Sequence, residues 1–592
     1  MLATSDPSPR MPPHRSGLLR TVIEFVVCLL VLVSLFRAFE AESFVIETGS
    51  MAPCLLGAHK RAHCPACRYE FAVEDRADLR RVTCPNCDRE GISVTELPHN
   101  DGDQILVQRT TFEFRPPRRW EVVIFRNPER ASQAYVKRLA GKPGETVQIV
   151  AGDLFIDGQR QTKDRDTRRG MQIPVYDHDY APEPEPGWQP RWVPDAATPV
   201  TVTPGADRPD ADRPDAASGW QADRSAFRFT PPVQSAAGNP IAWVGYRHWI
   251  RHGGAHRTAA PLTTWPISVP PLDPAIDDAR YDPGTAEVVC RGAMPEALRD
   301  RLLQESSDPA FRELVRRLYE ASHIAPITDR CGYNQRIGGG GSNEVRDLTL
   351  SFHLQVEPGQ GVSGQVEPGQ KESHQNEPGQ GGAGQKEPVQ FEPGQREFVA
   401  AITDGREEFE AVFDFDNRQV QLRWGPRQTV IGTARLPDVL TRPAGAVVEL
   451  SLWDHQILLA VDGWLVFDPW SYPETQAAGT RPVTPVRFGA RNLPVQVSHL
   501  QLFRDVFYTG GEGLTATRDP IRLRPDEYFV LGDNSPISKD SRAWRVGRTL
   551  AGDMFLGKPL LVHLPSRKLR WQIGSWHTDV RIPEFSRIRY IR

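Results

Sequence analysis

At 592 residues the chain exceeds what one hydrophobic core organises, which predicts several domains. Its 71 lysines and arginines against 75 aspartates and glutamates leave a net charge of −4, and that near balance excludes a general nucleic-acid binder. The 53 prolines and 48 glycines favour loops, insertions and β-structure over long helices.

The first element in chain order is apolar. Residues 1–17 carry Arg10, His14 and Arg15, and Leu18 to Phe39 reads LLRTVIEFVVCLLVLVSLFRAF, close to the ~20 residues a membrane-spanning helix requires. Arg20, Glu24 and Arg37 interrupt it and leave Phe25 to Phe36 as the uncharged run. The two arginines can snorkel to the interfaces, whereas Glu24 sits about one turn inside. A basic start before a short apolar run is also the mark of a cleaved secretory signal, but Arg37-Ala-Phe-Glu-Ala-Glu-Ser43 offers no small-x-small cleavage site. The expectation is a cytoplasmic tail over 1–17, a single-pass anchor in the bilayer over 18–39, and the remainder outside the membrane.

Just beyond lies Phe44-Val-Ile-Glu-Thr-Gly-Ser-Met-Ala-Pro-Cys-Leu55. Gly49 and Pro53 place Ser50 on a turn, where its hydroxyl can face a substrate. Such a serine becomes a nucleophile only with a base and an oxyanion site.

Four of the eight cysteines form Cys64-Pro-Ala-Cys67 and Cys84-Pro-Asn-Cys87 within 61–98. Two tight turns presenting two thiolates each suit the closed tetrahedral shell of structural zinc, a ribbon-like insertion with no catalytic role for the metal. Two disulfides are the alternative, and Cys290 with Cys331 could pair in an oxidising compartment.

From Gly102 to Gly158 short apolar strands alternate with turns at Pro116-Pro117, Asn127-Pro128 and Lys142-Pro-Gly144, which predicts a compact β domain. Lys137 lies within Ala134-Tyr-Val-Lys-Arg-Leu139, and periodicity alone assigns it to a solvated face. Residues 161–342 are rich in Pro, Asp and Trp, with a linker-like tract at 206–216 and the apolar spacing of a helical hairpin from Pro295 to Ser322, broken at Asp308-Pro309. Alternating strands at high density then predict a β-sandwich over 343–510. A Glu-Pro-Gly-Gln repeat inside it, at 355–395, has too few apolar residues for a core and reads as a disordered loop. The sandwich resembles concanavalin-like or laminin-G-like jelly rolls, which leaves open a glycan- or protein-binding surface or a passive spacer.

Residues Gly532-Asp-Asn-Ser-Pro-Ile-Ser-Lys-Asp-Ser-Arg542 complete a set of four blocks, with the Ser-Met-x-Pro turn at Ser50, Gly102-Asp-Gln-Ile-Leu-Val107, and Tyr135 to Gly144. In that order they resemble the membrane-anchored bacterial type I signal peptidases. The resemblance implies a mainly β catalytic core split over 40–60, 99–160 and 515–565, with a basic tail at 566–592. It implies Ser50 as nucleophile and Lys137 as general base, with Ser538 orienting the lysine. The backbone N–H of Ser50 and the hydroxyl of Thr48 would form the oxyanion site, and Asp533, Asp540 and Arg542 a supporting ion-pair scaffold. No cofactor is implied for catalysis. The implied substrates are preprotein signal peptides with small residues at −1 and −3, cleaved on the outer face of the bacterial cytoplasmic membrane. A lysine acts as a base only when neutral, so its pKa must fall from about 10.4, and burial is the available cause. Cys54 and Ser535-Pro536 depart from the family pattern, the second within the turn expected to hold Ser538.

Overall fold

The computed structural model describes residues 18–39, 41–184, 188–194, 219–232, 239–254, 257–273, 277–335, 341–357, 395–473, 481–545, 547–563, 566–573 and 576–591. Residues 1–17, the tract at 206–216 and nearly all of the 355–395 repeat lie outside these.

An eight-stranded antiparallel sheet gathers segments from both ends of the chain. Its order is Ala41–Val45, Gln104–Gln108, Phe555–Val562, Val122–Asn127, Arg130–Gly141, Glu527–Leu531 and Leu550–Ala551, with Arg589–Tyr590 added against Phe555–Val562. Val123, Ile124 and Phe125 are all fully buried, so this strand is covered on both faces and reads as a continuous apolar run. Ile124 joins Met51, Leu55, Ile105 and Val107 on one face, and Val123 and Phe125 join Leu139, Val530 and Trp544 on the other. A smaller sheet of Thr146–Val150, Asp153–Ile156, Gln159–Arg160 and Ile521–Arg522 lies beside it.

Two larger sheets, of nine and seven strands, share one core in which Phe352 of the first meets Phe398 of the second at a ring separation of 5.5 Å. This is a β-sandwich, and its edges run past the boundary expected at residue 343. Ile173–Asp177, Trp220–Ala222 and Ala226–Phe229 join the nine-stranded sheet, and Trp192–Pro194 and Ala242–Tyr246 join the seven-stranded one. These five strands are three to five residues long, too short for alternation to register among the prolines around them. The helical pair forms as Glu296–Glu305 and Pro309–His323, with the Asp308 side chain accepting from Ala310 N–H and Pro309 in the first turn, the expected starting chemistry.

The 18–39 segment is helical over 22 residues, with Arg20 and Glu24 paired at 2.8 Å in its first turns; among the described residues no helix is long and apolar enough to cross a membrane. Two expectations need correction. The basic segment 566–592 is no loose tail. It forms a hairpin of Ser566–Ile573 with Trp576–Pro583 before its last strand rejoins the central sheet. Cys290 and Cys331 are free thiols, buried in separate clusters.

Candidate active site

Ser50 sits in a single turn of 3-10 helix, Gly49–Met51, entered from Thr48 in extended backbone. The turn is pinned beneath by Met51 and Leu55, which are buried in the core. Asp103 holds it from below, accepting from Leu56 N–H at 3.0 Å and from Arg589 Nη2 at 2.8 Å, while Arg589 also donates to Cys54 O.

The Arg130–Gly141 strand delivers Lys137 to this turn, where Nζ lies 2.6 Å from Ser50 Oγ and donates to Val136 O at 2.9 Å. Lys137 is 2% exposed, against the solvated face that periodicity assigned it. Burial pushes its amine down to about 8, against the raising pull of Asp540 and Asp533. Desolvation wins because the ammonium loses its hydration and neither carboxylate contacts it directly. The Thr48 hydroxyl is exposed and 3.5 Å from Ser50 Oγ, longer than an ordinary O–H···O bond, and so is free to turn toward an incoming oxygen.

The Gly532–Arg542 block closes the other side. Gly532 is obligatory: a Cβ there would run into both Ser538 Oγ and the Ser50 carbonyl. Ser538 and Ser50 therefore flank the same glycine despite their separation in the chain. Ser538 Oγ is buried beside the site but makes no hydrogen bond to Lys137 Nζ. Asp533 receives Arg138 through two bonds, Nε at 2.8 Å and Nη2 at 2.7 Å, and both partners are fully buried. That fork locks the strand neighbour of Lys137 to the residue after Gly532. Asp540 accepts from Gly532 N–H and twice from the Arg542 guanidinium. Burial would raise the Asp540 carboxyl, but Arg542 and these hydrogen bonds hold it below the usual carboxylate range. Ser535, a departure from the family pattern, is itself used, accepting from Arg542 Nη1 at 2.7 Å and from Thr509 N–H at 2.7 Å.

Sequence reasoning missed a clamp from the long insertion. Tyr333 packs so tightly on Gly49 that a Cβ there would enter its ring, and its hydroxyl donates to Ala58 O. Asn334 and Asn534 exchange amide hydrogen bonds at 2.7 and 2.6 Å. Asn534 also donates to Gly49 O at 2.8 Å from its side chain and to Ser50 O at 3.0 Å from its backbone. The Gly-Asp-Asn triplet could have signalled Asn534; nothing in the local pattern marks Tyr333 or Asn334.

The four cysteines converge nearby. Cys64, Cys67, Cys84 and Cys87 are all buried free thiols whose sulfurs lie within 4.8 Å of one another, so the disulfide alternative is not adopted. Each pair sits on the same hairpin turn: Arg68 N–H reaches Cys64 O at 2.9 Å and Asp88 N–H reaches Cys84 O at 3.0 Å, with Arg68 and Asp88 both at positive φ. Four converging sulfurs on two equivalent turns fit the donor set of structural zinc.

Comparison with known proteins gives partial likenesses. Signal peptidase I of Leptolyngbya laminosa is 38% identical over 64 residues, 10% of this chain and 32% of that protein. Signal peptidase I T of Bacillus subtilis (strain 168) is 41% identical over 71 residues, 12% of this chain and 36% of that protein. The chain thus spans about a third of the length of these curated relatives. Among solved structures, the galectin LEC-6 of Caenorhabditis elegans aligns over 27% of this chain and 83% of its own at 9% identity, with a TM-score of 0.17, too low to bear on the kind of sandwich. Residues 19–196, which hold Ser50, Lys137 and the four cysteines, match the family model described as Signal peptidase, peptidase S26.

Proposed function

We propose that the protein is a serine endopeptidase of the type I signal peptidase kind, cleaving signal peptides from preproteins through a Ser50–Lys137 dyad. The observation that carries this reading is the 2.6 Å approach of Lys137 Nζ to Ser50 Oγ at a buried amine whose pKa falls to about 8.

In the proposed reaction, neutral Lys137 takes the Ser50 proton as Oγ attacks the scissile carbonyl carbon. The resulting oxyanion is held by Ser50 N–H and the Thr48 hydroxyl. Collapse breaks the C–N bond, and the Lys137 ammonium returns its proton to the departing amine, which leaves an ester on Ser50. A water deprotonated by Lys137 then hydrolyses that ester and frees the enzyme. Ser538, which lies beside Gly532, would orient the lysine, and the Asp533–Arg138 and Asp540–Arg542 pairs would hold the frame. Substrates with small residues at −1 and −3 are part of the proposal.

The Cys64, Cys67, Cys84 and Cys87 thiolates are proposed to hold a structural zinc ion, which would fix the ribbon and add no step to catalysis. Membrane association is proposed through the apolar helix, where the side chains of Phe25 and Leu30 are exposed.

The test is cleavage of a preprotein by detergent-solubilised enzyme. Ser50→Ala and Lys137→Ala are each expected to lose about a thousandfold or more in rate; undiminished cleavage in either would overturn the dyad.

A further inference from the structure

A second cluster of charged groups lies away from the dyad, where the small peptidase-side sheet meets the sandwich. Asp153 opens the Asp153–Ile156 strand of that sheet. Asp347 immediately precedes the sandwich strand Leu348–Val356, and Asp454 occupies the turn between Ala446–Trp453 and Gln456–Val461. Each presents a carboxylate oxygen, and the three oxygens lie within 4.8 Å of one another.

Like charges this close repel unless matched, and the direct ion pairs do not match them. Lys163 bridges Asp454 at 2.7 Å and Asp505 at 2.8 Å, and Arg160 pairs with Asp153 at 2.9 Å. Beyond these direct pairs, the buried Arg168 guanidinium lies within electrostatic reach of Asp454, Asp505 and Asp347 without an ion pair to any of them. Asp347 accepts a hydrogen bond from Asp454 N–H, which orients it but brings no charge. A separate observation points to a missing partner: Asp454 is 2% exposed, and its Oδ2 is buried with no hydrogen bond. Leaving a charged oxygen unpaired in the interior is costly, so something must satisfy it. A cleft of about 460 Å³ opens beside the cluster, lined by Asp153, Asp347 and Asp505 together with Arg160, Arg346 and Arg406, and gives a small ion access.

We propose that Asp153, Asp347 and Asp454 form a binding site for a divalent cation, best suited to Ca²⁺, that fastens the sandwich to the peptidase portion. The donors are carboxylate oxygens alone, the preference of a hard cation and unlike the sulfur set of the ribbon. Ca²⁺ takes carboxylate oxygens in flexible geometry, whereas Mg²⁺ demands near-ideal octahedral geometry and gives up its waters reluctantly, so a site assembled from three separate segments suits Ca²⁺ better. The site is independent of the reaction proposed for Ser50.

The test uses the full-length solubilised protein, stripped with EGTA, desalted, and titrated calorimetrically with CaCl2 and, separately, MgCl2. The expected result is saturable uptake of one Ca²⁺ per chain, weaker Mg²⁺ binding, and a higher thermal midpoint with Ca²⁺ present. Asp454→Asn should weaken Ca²⁺ binding at least tenfold. Because Asp454 also pairs with Lys163, the more exposed Asp153→Asn serves as a second variant with the same expectation. Absence of saturable Ca²⁺ uptake by the unmutated protein, or equal uptake by both variants, would overturn the site.

Discussion

At the scale of single residues, the proposed chemistry depends on a lysine kept out of water. With its pKa near 8, Lys137 is half neutral at that pH, and below it the neutral fraction falls tenfold per unit, to about 1% at pH 6. The sign follows from the role: a base must be deprotonated, so kcat/KM should rise with pH through about 8 and then level off. A profile flat from pH 6 to 9 would contradict a lysine base. Gly532 offers a steric test of the same site. Its missing Cβ would strike the Ser50 carbonyl, which is backbone and cannot swing away. Gly532→Ala is therefore expected to cost roughly 1–3 kcal/mol in urea unfolding, the usual range for overpacking, and to lower kcat by shifting Ser50 relative to Lys137. The two residues were legible in different ways. The turn at Ser50 was legible from Gly49 and Pro53 but did not by itself mark a nucleophile, and Lys137 pointed to solvent on periodicity, because alternation cannot distinguish a face open to water from one covered by other strands. The four separated blocks resolved it.

At the scale of elements, the turn that carries Ser50 is held by segments far from it in sequence. Asn334→Ala would leave the Asn534 amide short of two buried bonds, for about 1–3 kcal/mol of stability. It is also expected to lower kcat while the apparent pKa of the profile stays near 8, because Lys137 keeps its burial. A purely structural role would leave kcat of the folded fraction unchanged. The ribbon allows a separate test: elemental analysis is expected to find one zinc per chain, and Cys64→Ser should lower both the zinc content and the thermal midpoint. Fresh protein without zinc would refute the assignment. The convergence of the four thiols was readable because C-x2-C spacing places each pair on one turn. The clamp was not, since Tyr333 and Asn334 act through partners about 200 residues or more away.

At the scale of the whole molecule, the sandwich is the largest core, and Phe488 lies at its centre, fully buried among Trp192, Trp220, Phe227, Phe352 and Phe398. Phe488→Ala should destabilise this core by about 3–5 kcal/mol, seen as an earlier transition in calorimetry. The existence of the sandwich was legible from its long alternating strands, such as Leu348–Val356 and Ala446–Trp453. Its true extent was not, because the strands contributed by 173–246 are short and are recognised only through the partners they pair with. The N-terminal helix was legible directly, since the apolar run of the sequence and the observed helix share the bounds Leu18–Phe39.

The central claim, an acyl-enzyme formed on Ser50 with Lys137 as base, is tested most directly by intact-protein mass spectrometry of enzyme mixed with a signal-peptide substrate and quenched in acid during turnover. The account predicts an adduct equal to the acyl half of the substrate, mapped to the peptide containing Ser50 and missing from Ser50→Ala and Lys137→Ala. Continued cleavage by Ser50→Ala, or an adduct mapped to another residue, would contradict it.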